Sequence, residues 1–84
     1  MSRVRELVEV LARALADDPD AVVVTETEHG DSTVVELFVA PADLGRVIGR
    51  QGRTAAALRT LVFATAEREG KRAMLEIREP GLKA

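Results

Sequence analysis

The sequence predicts a small two-layer α+β domain: one mixed sheet of three strands, covered on one face by three helices, in the order α-β-β-α-α-β. Three observations carry that expectation. Residues 2–16 repeat apolar side chains at helical spacing, and residues 21–40 hold two β-branched runs around a glycine turn. Residues 41–70 then read as two helices separated by paired glycines, ahead of a final alternating segment. With 84 residues the chain suits one domain, near the lower limit at which a single core folds without staples. We expect residues 1–79 to form it and 80–84, "PGLKA", to fray.

Each element has a local reason. Val4, Leu7, Val8, Leu11 and Leu15 define one face of a first helix, with Ser2 as its N-cap and Arg5, Glu9 and Arg13 at i,i+4 spacing on the wet face. "DDPD", Asp17 to Asp20, stops it. "AVVVTETE" and "TVVELFVA" are strands joined by "HGDS", hence an antiparallel hairpin, with Val35, Leu37 and Val39 inward against Glu36 and Phe38. Pro41 opens a short helix running through Val47, with Asp43 near its positive end. A long helix follows from about Arg53 to Glu69, stopped by Gly70. In "RAMLEIRE", Ala73, Leu75 and Ile77 alternate inward against Met74, Glu76 and Arg78. The helical pair makes a crossover, so this last strand should run parallel to the second and beside it.

Charge narrows the function once it is divided along the chain. Overall there are 12 Lys and Arg against 14 Asp and Glu, which looks unlike a nucleic-acid binder. Yet no acid lies between Asp43 and Glu67, where Arg46, Arg50, Arg53 and Arg59 stand. That window is +4, and the remaining 8 basic and 14 acidic residues leave −6 elsewhere. A local basic patch is the footprint of phosphate binding, which net charge hides.

The patch centres on "VIGRQGRT", Val47 to Thr54. Gly49 and Gly52 allow a tight reversal and close approach of a ligand to the backbone. The long helix begins here with unpaired amide N–H groups, and its dipole favours anions. Arg50 and Arg53 add positive charge, and Gln51 adds neutral donors and acceptors. Two glycines flanking two residues occur in many ordinary turns, so the pattern gains meaning only from its setting.

In that setting "PADLGRVIGRQGRTAAALRTLV", Pro41 to Val62, resembles the KH domain of the second topology. More narrowly, the whole chain resembles the bacterial RNA-binding KH-domain protein A family. The resemblance implies a KH type II fold and binding of single-stranded RNA, clamped by its backbone about four nucleotides at a time. It also implies RNA chaperone or post-transcriptional regulatory action, linked to cell elongation and cell-wall homeostasis, with self-pairing and a larger KH-containing partner. By the same resemblance, Gly49, Arg50, Gln51 and Gly52 face the sugar-phosphate backbone, Ile48 lines an apolar groove with Val47 or Leu44 near, and Arg46, Arg53 and Thr54 complete the RNA-binding set. Ala55 stands where many KH domains carry a larger aliphatic residue, which implies a shallower groove. Phe38 and Phe63 are the only aromatics, so affinity should rest on phosphates and groove shape, with strong salt dependence.

Other classes find little support. Without cysteine there is neither disulfide nor thiolate metal site, and a reducing, cytoplasmic setting is expected. The start "MSRVRELVEV" is broken by charge, unlike a signal peptide, and no apolar run reaches bilayer length. His29, the sole histidine, reads as a solvated turn residue beside mobile carboxylates, so no metal and no cofactor are expected. No nucleophile and base stand out, and the chain is short for enclosing a substrate, so no enzyme is expected. The alternative to an RNA binder is an interaction module. On the long helix, Ala55, Leu58, Val62 and Thr65 share the face expected to pack on the sheet. Ala57, Thr60, Leu61 and Phe63 are left over, and a homodimer through them is expected.

Overall fold

A computed structural model describes residues 2–79. Helix α1 (Arg3–Leu15) leads to strands β1 (Val23–His29) and β2 (Ser32–Phe38). Helix α2 (Leu44–Ile48) and the long α3 (Arg53–Arg68) follow, and β3 (Arg72–Arg78) closes the fold. Short 3-10 turns precede β1, precede α2 and fill the gap between α2 and α3.

The sheet order is β1-β2-β3. Strand β1 pairs antiparallel with β2 from Val23↔Phe38 to His29↔Ser32, so Gly30 and Asp31 alone make the hairpin turn, with Gly30 at positive φ. Strand β2 pairs parallel with β3 from Ser32↔Arg72 to Phe38↔Arg78, as the crossover requires. The layers and strand directions are those expected from the pattern of elements.

All three helices pack over one face, where Val8, Ala12, Val35, Leu37, Val39, Val47, Leu58 and Val62 form the core. Burying each of the larger side chains is worth about 1.5–3 kcal/mol, which a domain this small needs. Ser2 fixes the entrance to α1: its Oγ accepts from Arg5 N–H at 3.0 Å and donates to Glu26 Oε1 at 2.8 Å, tying the helix to the edge strand. Of the expected pairs on α1, Arg13–Glu9 forms at 3.2 Å. Helix α3 turns Ala55, Leu58, Val62 and Ala66 inward and ends in a Schellman motif, with Lys71 N–H on Ala66 O and Gly70 N–H on Glu67 O, each at 3.0 Å.

The opposite sheet face is lined by polar and charged groups: Thr25 donates to Glu36 at 3.2 Å, and Arg78 pairs with both Glu36 and Glu76. Phe38 departs from the expected pattern in burial, not in direction. It lies on this outer face yet is buried, flanked in the ladder by Val23 and Arg78. Residues 80–84, expected to fray, lie outside the described residues.

Candidate nucleic-acid interface

The basic turn is held from behind by a buried acid. Asp43 sits at the N-terminal, positive end of α2, as expected, but it is only 2% exposed and its side chain makes no cap on that helix. Its two oxygens accept from the backbone N–H groups of Asp17 and Asp18, at 3.1 and 3.0 Å. A carboxylate buried this deeply requires such partners. Arg46 completes the cluster, reaching Asp17 at 2.9 Å and Asp43 at 3.8 Å. The turn after α1 is thereby tied to the start of α2.

This changes the roles of two residues in the expected set. Arg46 is engaged by carboxylates, so much of its charge is answered within the chain. Val47 is 0% exposed and belongs to the core, where it supports the turn from beneath. The 100° step between successive helical residues separates the pair, so Val47 can enter the core while Ile48 stays at the surface. Ile48 is 41% exposed and Leu44 is partly buried against the core.

The turn itself departs from ordinary backbone geometry. Gly49 ends α2 at φ 78°, ψ 168°, a region open almost only to glycine. A Cβ there would clash with the Thr54 hydroxyl and lie 2.7 Å from Thr54 Cβ and 2.9 Å from its backbone nitrogen. Thr54 thus braces the turn against the first turn of α3. Gln51 takes a left-handed conformation at φ 56°, and Gly52 follows at φ 72°. A Cβ on Gly52 would meet nothing within 4 Å. One glycine is filled by the protein, and the other faces open space.

Helix α3 starts at Gly52 without a side-chain cap; within the turn Gly52 N–H donates to Gly49 O at 3.0 Å and Arg53 N–H donates to Arg50 O. Arg50, Gln51 and Arg53 are exposed around it. Arg50, Arg53 and Arg59 make no ion pair with the described residues, so their charge is available to a ligand. The structure therefore brings Ile48 through Thr54 together at one end of α2 and α3, with Arg46 set behind.

The four residues expected at a dimer surface do not share one. Ala57, Thr60, Leu61 and Phe63 are all exposed, but Phe63 lines a groove with Arg59 and the edge strand β3. Leu61 lies about 160° away around the helix. Thr60 stands between them and donates its hydroxyl to Ala56 O. Sequence reasoning missed the Asp17–Arg46–Asp43 cluster. The i,i+3 spacing of Asp43 and Arg46 was a visible hint, whereas the approach of Asp17, 26 positions before Asp43, was not.

Strand, helix, glycine turn, helix and parallel strand, with a leading helix and strand, make a KH type II domain, a class that grips single-stranded nucleic acid at such a turn. The chain belongs to the family described as "KhpA/KhpB, KH domain", whose pattern matches residues 5–77. It is 56% identical over 72 residues to the RNA-binding protein KhpA of Caldanaerobacter subterraneus, covering 86% of this chain and 96% of that one. Against the RNA-binding protein KhpA of Aquifex aeolicus it is 51% identical over 79 residues, 94% of this chain and all of the relative. Among solved structures, Era in complex with MgGDPNP and a 16S ribosomal RNA segment superposes with a TM-score of 0.61. At 20% identity, covering 90% of this chain and 29% of Era, that likeness concerns the fold.

Proposed function

We propose that this protein binds single-stranded RNA, laying the sugar-phosphate backbone across Gly49 to Gly52 with a base against Ile48. One observation carries the reading: Gly49 is packed against Thr54 while the space over Gly52 is open beside unpaired Arg50 and Arg53. A turn so braced behind and open in front suits a backbone that must come close, with arginines for its phosphates. Ala55 is buried, so the groove beside Ile48 is shallow and base discrimination should be modest. Family membership supports the ligand class. Within this reading the protein acts in the cytoplasm as an RNA chaperone or post-transcriptional regulator, in the service of cell elongation and wall synthesis.

The test is the double variant Arg50→Asp/Gln51→Asp. Both side chains are exposed, so the melting temperature should hold, while carboxylates facing phosphates should abolish binding to a single-stranded RNA at low salt. Binding equal to wild type would overturn the assignment.

A second reading, self-association or pairing with a larger KH-containing protein, draws on Leu61. It is 45% exposed, between Ala57 and Ala64, and the neighbouring helix α1 exposes Val10. An interface through Leu61 would be two-fold and place two glycine turns on one particle.

A further inference from the structure

Of the four arginines between Asp43 and Glu67, Arg46 is held by carboxylates, and the other three carry no ion pair among the described residues. Its two acids hold it differently. Asp43 already accepts the backbone N–H groups of Asp17 and Asp18, so its buried carboxylate stays satisfied without the guanidinium. Its approach to Arg46, 3.8 Å, is beyond hydrogen-bond distance. Asp17 makes the direct contact, with its Oδ2 2.9 Å from Arg46 Nη2. Both side chains of that pair stand in water, 55% exposed for Arg46 and 72% for Asp17. A pair so exposed is weakly held and opens to a competing anion. Arg46 also stands near the turn. It lies three residues before Gly49, which ends α2, so the two are about 4.5 Å apart along the helix axis and within about 60° around it.

We propose that Asp17 is a positioning residue of the RNA site: its carboxylate holds the Arg46 guanidinium in the place of a phosphate and keeps one cation out of the interface. The inference rests on the RNA-binding reading and adds to it the residue that limits affinity. Asp17 acts from the turn after α1, so a strand crossing Gly49 to Gly52 meets Arg50, Arg53 and Arg59 while Arg46 stays with its own chain. The bonds that anchor Asp43 come from main-chain amides, so replacing the Asp17 side chain leaves that anchor standing. Asp17 therefore sets how many phosphates the site can neutralise without bearing on the fold.

The experiment follows a fluorescein-labelled octauridylate by anisotropy across a series of potassium chloride concentrations. Wild type, Asp17→Asn, Arg46→Gln, the double variant and Asp18→Asn are compared. Wild type should give a log–log slope of about −2, for three arginines. Asp17→Asn should give a slope of about −3 and bind about threefold more tightly at low salt. In the Arg46→Gln background the same substitution should gain nothing, because the cation it releases is gone. Asp18→Asn removes an equal charge one position on, where the side chain caps no helix, and should leave the slope unchanged. A wild-type slope in Asp17→Asn overturns the proposal. So does an equal gain in the Arg46→Gln background or in Asp18→Asn, since either marks a general charge effect. If wild type does not bind, or Arg50→Asp/Gln51→Asp binds as wild type does, the RNA reading itself fails and the inference falls with it. An unchanged melting temperature verifies the fold of Asp17→Asn, and the salt slope is a readout that a merely structural role would not move.

Discussion

Leu61 and Phe63 are two positions apart, both apolar and both about half exposed, yet they belong to different surfaces. The side of α3 that carries Leu61 continues through Ala57 and Ala64, with Arg68 at its C-terminal end. The side that carries Phe63 begins at the glycine turn, passes the unpaired Arg59 and is walled by the free edge of β3. An apolar crest suits another protein surface; a basic groove ending on a ring suits a strand of nucleic acid. Residue type alone cannot distinguish them. Helix angle and the neighbours on either side can.

The strongest way to break the groove side alone is Gly49→Ala. The added methyl meets Thr54 in a backbone region open almost only to glycine, so we expect a loss of about 3 kcal/mol and a melting point lower by roughly 15 °C. Gly52→Ala, with open space around it, should cost only about 1 kcal/mol from its left-handed conformation. Thermal melts of the two variants check this ranking, and equal losses would show that Thr54 does not brace the turn. Next is Asp43→Ala, which strips the acceptors from two backbone amides and releases Arg46. A loss of about 2 kcal/mol is expected by urea titration. Self-association should persist in the part that stays folded, because the crest is untouched.

The crest is tested by Leu61→Asp against Phe63→Asp in sedimentation at micromolar concentration. Leu61→Asp should convert dimer to monomer, and Phe63→Asp should leave the mass unchanged. The reverse result would exchange the two surfaces; a monomeric wild type would remove the dimer altogether. The smallest effect lies in the salt dependence. With Arg46 held by Asp17, only Arg50, Arg53 and Arg59 remain for phosphates, so the log–log slope for single-stranded RNA should be about −2. A slope nearer −3 would mean that Arg46 leaves its carboxylates on binding.

Much of this was legible in the chain because it depends on neighbours in sequence. Ser2 caps α1 three residues before Arg5, Gly30 turns a two-residue hairpin, and Gly70 stops α3, each through hydrogen bonds a few positions long. The alternation of Val35 and Leu37 decided which sheet face is buried. The basic turn was legible for the same reason, since "GRQG" and the acid-free run around it are contiguous.

What depended on distant segments was not legible. Phe38 follows the alternation in direction but is buried between its ladder neighbours Val23 and Arg78. Asp43 reads as a dipole-complementing acid until α1 ends close enough for the amides of Asp17 and Asp18 to claim both its oxygens. Arg46 then follows it, and Val47 turns inward. Sequence alone determined the order of elements, the sheet directions and the place of the basic glycine turn, because local backbone preferences and side-chain periodicity act over a few residues. Tertiary structure alone decided which arginines stay free, which valine supports the turn and which side of α3 each leftover apolar residue serves. Those outcomes depend on what packing brings within about 4 Å, and periodicity carries no record of it.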